Sequence, residues 1–461
     1  DRRDPEGRLW PGLKSIEDVV ERLQQVEREL SPDAALLAWG FDPIFFRGRR
    51  MTTKDLDQVS GTRPIVIMHA SFHVINVNTA VLRKARISAD TKVHGIVLDE
   101  SGGPTGELQE MAAQLLALRI AGEAFWQGSA AAVLRYGNAA KLAGVTTVTD
   151  LYNDLTDATV EDFRQVTQDA GFPARLVPAY NPSGLAPADG VARLRALVRH
   201  NTDKLRFGLV KLMTDGSIQG YTARLKWPGY YNGRPNGLWN MAPDTLFQYL
   251  SAFHRAGFQI HVHANGDEAS EVTLNAFERA LSEAPRSDHR HTLQHCQMAD
   301  ASQFRRMAKL GLCANLFANH IYYWGDAHYA DTMGPDRANR MNATATANRL
   351  GVPIALHSDA PITPLAPLFT AWCAVNRRTV SGRVLGPSER LDVAEALFAI
   401  TIGAAYTLKL DAEIGSIEVG KFADFAVLED DPTAVPPERL KDVRIWGTML
   451  GGQIYPGPEL C

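Results

Sequence analysis

The sequence lacks several features that would place it in other classes of protein. No apolar run reaches the roughly 20 residues that a membrane-spanning helix needs, so no membrane association is expected. No dense lysine and arginine run occurs, and the formal net charge is only -4, which argues against a nucleic-acid partner. The 4 cysteines form no CxxC pair, so we expect reduced thiols in a cytoplasmic protein.

The chain also begins without methionine and without a signal-peptide pattern. Its first residues are DRRDPEGRLW, so we expect the chain to start partway through a longer protein. The 461 residues, 45% of them hydrophobic, allow two or three globular domains, or one large barrel with a satellite domain.

From about residue 144, β-branched or apolar runs alternate with amphipathic segments typical of helices. The runs that read as strands are GVTTVTD, ARLVPAY, RFGLVKLM, FQIHVHA, RHTLQHC, GLCANLFA and VPIALHSDA. This alternation argues for an α/β protein with a parallel sheet. The seven units predict a (β/α)₈ barrel of the TIM type whose first strand is missing from this chain. A doubly wound sheet is the alternative, but no GxGxxG motif follows an early strand.

The pattern divides the chain into three segments. Residues 1–143, where helical patterns flank strands such as RPIVIMHA, are predicted to be an insertion layered over the barrel mouth. Residues 144–410 are predicted to form the barrel. Residues 411–461 contain short alternating strands with glycine turns, which predict a small β-sandwich portion.

Polar residues end the predicted strands, where the catalytic side chains of a barrel lie. They are Asp150, Tyr180, Lys211, His263, His295, His320 and Asp359. His263 and His295 end adjacent strands about 4.8 Å apart, so their imidazoles can share one metal ion; a buried histidine held by hydrogen bonds is the alternative for His263. Asp359 can bind metal and accept a proton from water, or it can cap a helix.

Two further features lie within or after the run RFGLVKLM, which is the fourth barrel strand when the missing first strand is counted. Lys211 lies in the apolar run FGLVKLM, where a buried lysine is costly. Reaction with CO₂ would turn it into an anionic carbamate that can bridge two metal ions, whereas an ion pair with Asp215 or another acid would explain it equally well. The loop WPGYYNGRPNGLW is expected either to line the substrate pocket, through Trp227 and Tyr231, or to be an ordinary surface loop.

Nine short motifs, spread over nearly the whole chain, carry a family resemblance. They are WGFDP (39–43), HVINVNTAVL (73–82), GPTGELQEMA (103–112), GVTTVTD (144–150), VKLMTDGSIQGYTA (210–223), HANGDEA (263–269), RHTLQHCQ (290–297), HSDAP (357–361) and GSIEVGKFADFAVLEDDP (415–432). In this order they resemble the amidohydrolase superfamily and, within it, the YtcJ-like amidohydrolase-3 group that includes N-substituted formamide deformylases.

The resemblance implies a set of metal ligands. It makes His263 and His295 ligands of the more exposed metal and Lys211, carboxylated, the bridge. Asp359 becomes a ligand of the more buried metal and the general base. His357 is expected to pack beside Asp359 rather than to bind metal.

The resemblance also implies residues that face the substrate. His73 and Glu110, on the inserted segment, match family residues near the substrate. His320 matches a family histidine after the seventh strand, and either His295 or His320 is expected to stabilise the oxyanion as a catalytic residue.

One part of the family pattern is absent. The family's first strand carries a His-x-His pair that binds the buried metal, whereas the HVH at 261–263 lies on the fifth strand, where only His263 matches a ligand. We therefore expect this chain by itself to hold at most one well-occupied metal. An upstream segment that carries the missing strand is an expected partner.

The sequence thus predicts a metal-dependent hydrolase of amide-type, non-peptide C–N bonds that uses a metal-activated water. The expected cofactor is a divalent metal, with zinc as the first choice. The expected partner is a small-molecule substrate, and a homodimer is compatible with the sequence. Two alternatives stay open: a non-catalytic barrel that binds a small molecule or a partner protein, and a hydrolase with one metal held by His263, His295 and Asp359.

Overall fold

The computed structural model of the protein describes residues 2–3, 9–46, 49–120 and 128–457. The chain forms two compact units. Unit 1 comprises Asp1–Gln127, Asp215–Arg224 and Pro228–Asn240, and unit 2 comprises Gly128–Thr214, Leu225–Trp227 and Met241–Cys461. These bounds differ from the three segments that the sequence pattern suggests, because two stretches after residue 214 pack with the N-terminal part of the chain.

Unit 1 is built around a five-stranded mixed sheet. Its elements are β1 (Arg2–Arg3), β2 (Leu9–Trp10), α1 (Ile16–Glu27), β3 (Leu36–Phe41), α2 (Thr53–Leu56), β4 (Ile65–His69), β5 (Val74–Val77), α3 (Thr79–Lys84), β6 (Ile96–Leu98), β7 (Pro104–Gln109) and α4 (Glu110–Leu118). The sheet order is β3-β4-β5-β7-β6, with only β3 and β4 parallel. Strands β4 and β5 are buried along their whole length, so they form the centre of this unit's core.

Unit 2 contains a seven-stranded parallel sheet with helices between the strands. Its elements up to the last of these strands are α5 (Ala130–Leu142), β8 (Thr147–Asn153), α6 (Asp157–Gln168), β9 (Arg175–Tyr180), α7 (Pro187–Val198), β10 (Leu209–Met213), α8 (Pro243–Arg255), β11 (Gln259–Ala264), α9 (Asp267–Glu283), β12 (Thr292–His295), α10 (Ala301–Leu310), β13 (Cys313–Leu316), α11 (Asn319–Ala327), α12 (Gly334–Arg340), α13 (Thr344–Arg349) and β14 (Ile354–Leu356). The strands lie side by side in chain order, and each neighbouring pair is parallel. The predicted α/β class and all seven predicted strands are therefore confirmed.

The chain after β14 completes unit 2. Its elements are α14 (Pro367–Asn376), α15 (Val393–Ile400), α16 (Ile402–Thr407), β15 (Phe425–Leu428), β16 (Ile445–Leu450) and β17 (Gln453–Pro456). The last three strands form an antiparallel sheet in the order β15-β16-β17. Within the described residues, the parallel sheet has β8 and β14 as its edges.

The lengths of the helices and the state of the cysteines can be compared with what the sequence predicts. Among the described residues, no helix is both long and apolar enough to cross a lipid bilayer. Cys296, Cys313 and Cys373 are buried and carry no disulfide. Burial raises the pKa of the Cys313 thiol to about 12 and that of Cys296 further still, so both stay protonated and chemically inert.

Three buried histidines meet at the amino-terminal end of β11 and β12. His254 Nδ1 lies 2.9 Å from His291 Nε2, and the backbone N–H of Ile260 donates to His291 Nδ1 at 3.1 Å. The N–H of His291 donates to His289 Nδ1, while the Nε2 atoms of His254 and His289 each donate to a backbone carbonyl. Every Nδ1 in this cluster accepts a hydrogen bond, so all three rings must be neutral. Burial accordingly lowers the pKa of each of them.

We expect this cluster to make the fold sensitive to acid. Below the ordinary histidine pKa of about 6.5, these histidines are protonated in the unfolded chain but stay neutral in the folded protein. Each ring therefore lowers the free energy of unfolding by up to about 1.4 kcal/mol for every unit that the pH falls. The free energy of unfolding in urea should therefore fall from pH 7 to pH 5. His289→Gln should flatten this dependence, whereas the exposed His200→Gln should leave it unchanged. Equal slopes for both variants would contradict the assignment.

Candidate active site

Parallel pairing brings two predicted ligands together. In the register of β10 with β11, Met213 lies opposite His263, and in the register of β11 with β12, Ala264 lies opposite His295. The histidines are 4% and 3% exposed, and their ring centroids are 4.5 Å apart. The two imidazoles are thus in contact at the carboxyl edge of the sheet.

His357, which directly follows β14, joins this pair. Its Nε2 lies 3.3 Å from His295 Nδ1. The ligand atoms of His295, His357 and Asp359 all lie within 4.8 Å of one another. Two ligands of one tetrahedral zinc ion, with bonds of about 2.0–2.1 Å, are themselves about 3.3 Å apart. The His295–His357 distance matches this separation, and the three side chains together are candidate ligands of a single divalent ion.

The sequence predicts that His357 packs beside Asp359, and the structure places its ring beside His295 as well. Its position two residues before Asp359 at the end of a strand puts both side chains on one face, and that signal was available. The sequence alone could not show that this face brings the His357 ring within hydrogen-bonding distance of His295 on a strand two places away in the sheet.

Lys211 lies in β10 and is 4% exposed. Burial lowers the pKa of Lys211 to about 8, and the negative charge of Asp359 opposes this shift. Burial lowers the pKa of His357 to about 3, and the Lys211 charge contributes to this shift. Lys211 is therefore electrostatically coupled to His357 and Asp359, and a substantial fraction of its amine is neutral near pH 8.

His261, the first histidine of HVH, has a structural role. Its Nε2 donates to the carbonyl of Thr407 at 2.9 Å, and its Nδ1 accepts from the Gln294 side-chain amide at 2.7 Å. Burial lowers the pKa of His261 to about 3, so the ring stays neutral. Both ring nitrogens are used, which leaves no lone pair for a metal.

Asp359 and His295 share an unusual backbone conformation. Their φ angles are 53° and 73°, in the left-handed region. A residue other than glycine held there costs about 1–3 kcal/mol, and such strain is concentrated at functional sites. The helix that follows Asp359 begins at Pro367 with Ala366 as its N-cap, so a helix-capping role does not explain Asp359.

His320, on α11, lies one aromatic ring away from the triad. The Phe317 ring contacts His320 at a centroid distance of 4.7 Å and stacks on His357 at the same distance. His320 is 1% exposed, and burial holds its pKa well below the ordinary range. The ring is therefore neutral, and it is not among the three grouped ligands.

Unit 1 brings together the two residues that the resemblance assigns to the substrate. His73 Nδ1 lies 2.8 Å from Glu110 Oε2, and the Asn240 side-chain amide donates to the same oxygen. Glu110 has a φ of 61°, and a Cβ on Gly216 would lie 2.0 Å from Glu110 Oε1. Glu110 therefore has a strained backbone and a buried carboxylate. Only glycine at position 216 leaves room for that carboxylate.

The two aromatic residues predicted to bind substrate are on the surface. Trp227, in unit 2, is 94% exposed, and Tyr231, in unit 1, is 60% exposed. Each belongs to the loop that follows β10. Their exposure suits either of the two roles that the sequence allows for this loop, so a role in substrate binding stays a prediction.

We expect the His295–His357–Asp359 triad to determine the metal content. His295→Ala and His357→Ala should each weaken metal binding by at least roughly tenfold to a hundredfold, because each removes a donor atom from the ion. Metal per chain would be measured by mass spectrometry after dialysis at limiting zinc. His320→Gln, a buried histidine one ring away, should keep its metal. Wild-type metal content in both alanine variants would disprove this assignment.

Histidine, lysine and aspartate side chains at the ends of parallel strands are typical of the active sites of α/β enzymes. A family model described as the amidohydrolase family matches residues 7–456. The chain therefore belongs to the amidohydrolase family, and the resemblance carried by the nine motifs is confirmed. Membership supports a hydrolase that acts on C–N bonds.

Two curated relatives extend along nearly the whole chain. "Putative amidohydrolase YtcJ" of Bacillus subtilis (strain 168) is 29% identical over 455 residues, which cover 96% of this chain and 83% of that protein. "N-substituted formamide deformylase" of Arthrobacter pascens is 26% identical over 457 residues, which cover 96% of this chain and 82% of that protein.

Two solved structures share the fold. An uncharacterized metal-dependent hydrolase from Pyrococcus horikoshii OT3 superposes with a TM-score of 0.67 at 22% identity, over 92% of this chain and 82% of that chain. A second, from Pyrococcus furiosus, gives a TM-score of 0.61 at 23% identity, over 89% and 80% of the two chains.

Proposed function

We propose that the protein is a metal-dependent hydrolase of C–N bonds in small, non-peptide amides. The observation that carries this proposal is the convergence of His295, His357 and Asp359 ligand atoms within 4.8 Å of one another. They lie at the carboxyl ends of parallel strands, where α/β barrels place their catalytic groups. Membership of the amidohydrolase family supports the reaction class.

The proposed cofactor is zinc, because imidazole and carboxylate ligands suit it. The triad supplies three protein ligands and leaves a fourth position open, which is the pattern of catalytic zinc sites. Three grouped ligands favour a hydrolase with one metal, although the set has His357 where the sequence suggested His263. When bound, a divalent metal lowers the pKa of water and polarises a carbonyl group.

The chain's own side chains would move the protons. Asp359 is 31% exposed at its side chain, so water can reach its carboxylate. It would take a proton from the attacking water and return that proton to the leaving nitrogen. His320, neutral and buried, would donate a hydrogen bond to the carbonyl oxygen as negative charge develops there.

The substrate class that we propose is N-substituted formamides and related small amides, because a relative is named for that activity. His73 and Glu110 would hydrogen-bond polar groups of the substrate, since they form a buried acid–histidine pair. Trp227 and Tyr231 would contact its apolar part.

Amine release from a panel of small amides would test the proposal. The zinc-loaded protein should hydrolyse N-substituted formamides, and a chelator should abolish the activity. Peptides of similar size serve as the matched negative substrates. A metal-loaded protein that binds members of the panel but hydrolyses none would instead support the non-catalytic binding protein.

We propose that the parallel sheet belongs to a (β/α)₈ barrel and that β15 to β17 belong to a β-sandwich portion. The three buried thiols support a reducing compartment such as the cytoplasm. The proposed macromolecular partner is a second copy of this chain, in a homodimer.

A further inference from the structure

A hydrogen-bonded row of side chains extends from His320 into the next helical segment. His320 Nδ1 lies 3.1 Å from His328 Nε2, and His328 Nδ1 lies 2.7 Å from the Thr332 hydroxyl oxygen. His328 and Thr332 are the first and last residues of a single π-helical turn. Such turns recur at functional sites. All three side chains are buried, at 1%, 0% and 0% exposed, so bulk water does not compete for their hydrogen bonds.

The direction of these hydrogen bonds follows from Thr332. Within the described residues its hydroxyl has one hydrogen-bond partner, His328 Nδ1. If the oxygen accepted from that nitrogen, the buried O–H would itself have no acceptor, so the O–H donates to Nδ1 instead. Burial lowers the pKa of His328 to about 3, against the opposing charge of Asp331, so His328 is neutral and carries its proton on Nε2. That N–H then donates to His320 Nδ1.

The same reasoning fixes the tautomer of His320. Its Nδ1 accepts a hydrogen bond and the ring is neutral, so its proton is on Nε2. The ring itself is held between Phe317, at a centroid distance of 4.7 Å, and Trp324, at 4.3 Å. His320 is therefore pre-organised as a hydrogen-bond donor through Nε2 and is unable to act as a base at that atom.

We propose that Thr332 and His328 are positioning residues that fix His320 as an Nε2–H donor to a substrate oxygen. The donor role rests on the proposed hydrolase function, whereas the fixed tautomer rests on the hydrogen bonds alone. No proton is transferred in this role: the Nε2–H bond stays intact while it stabilises negative charge on the oxygen. Neither His328 nor Thr332 touches the substrate in this proposal.

Two substitutions at Thr332 separate the hydroxyl from the shape of the side chain. Thr332→Val keeps the branched shape and removes the donor, and Thr332→Ser keeps the donor. The full-length chain would be labelled with ¹⁵N at histidine, and the His320 signal would be assigned through His320→Gln. Imidazole ¹⁵N shifts then report which nitrogen carries the proton. We expect Nε2–H in the wild type and in Thr332→Ser, and a mixture of tautomers in Thr332→Val.

Steady-state kinetics on the zinc-loaded protein complete the test. Thr332→Val should lower kcat by roughly tenfold to a hundredfold with little change in KM, and Thr332→Ser should match the wild type. An Nδ1–H tautomer in the wild type, or unchanged shifts in Thr332→Val, would overturn the fixed tautomer. Altered shifts with an unchanged kcat would overturn the donor role. A wild-type protein without hydrolase activity would refute the proposed function and with it the donor role, while the shifts would still decide the tautomer.

Discussion

Asp359→Asn is expected to lower kcat for amide hydrolysis by roughly 10²–10⁴-fold, the usual contribution of a positioned general base. The amide has the size of the carboxylate but cannot accept the proton of water or carry the charge that helps to hold a divalent ion. Because Asp359 also lies within 4.8 Å of the ligand atoms of His295 and His357, metal content and kcat should be measured on the same sample. A loss of kcat that persists at full metal occupancy identifies the base.

A second aspartate of unit 2 provides the control for that substitution. Asp300 is the N-cap of α10 and receives hydrogen bonds from the N–H groups of Ser302 and Gln303. Asn caps helices about as well as Asp, so Asp300→Asn should change neither stability nor kcat. Wild-type turnover in fully metallated Asp359→Asn would remove Asp359 from the proposed mechanism.

The parallel sheet is the part of the fold that the sequence predicts best. Apolar runs such as FQIHVHA and VPIALHSDA are short, rich in β-branched residues and separated by amphipathic segments of helical length. The short β-branched runs predict strands, and the helical segments between them predict that the strands pair in parallel. The carboxyl ends of the strands then lie at one edge, so the approach of His263 to His295 was predictable from where each run stops.

Contacts between distant parts of the chain were not predictable in this way. Asn240 donates both to Glu110, 130 residues earlier, and to the carbonyl of Asp215. These bonds help to explain why segments after residue 214 pack with unit 1, although the sequence suggests a single insertion that ends near residue 143. Polar side chains in loops carry no periodicity, so their partners cannot be read from a pattern.

Backbone strain at candidate functional residues of each unit was also invisible in the sequence. Glu110, His295 and Asp359 have φ angles of 61°, 73° and 53°. Glycine normally signals this region of conformational space, and none of the three is glycine. The surrounding structure must impose the conformation, because no local preference of these residues would select it. Strain of this kind therefore adds evidence for function that is independent of residue type.

Lys211→Ala is expected to lower kcat by at least roughly 10²-fold, because it removes both the buried amine and any ligand made from it. With a pKa of about 8, the amine is partly neutral at physiological pH. Its nitrogen lone pair can attack the carbon of CO₂, and loss of one proton then gives the carbamate anion. If that anion binds metal, acetate or propionate should partly restore the activity of Lys211→Ala, since a free carboxylate can occupy the space of the missing side chain.

Lys226→Ala, which removes a half-buried lysine paired with Glu271, should keep full activity. Loss of activity without rescue would favour a hydrolase with one metal, in which Lys211 acts through its charge. Undiminished activity in Lys211→Ala would exclude a carboxylated lysine from the site.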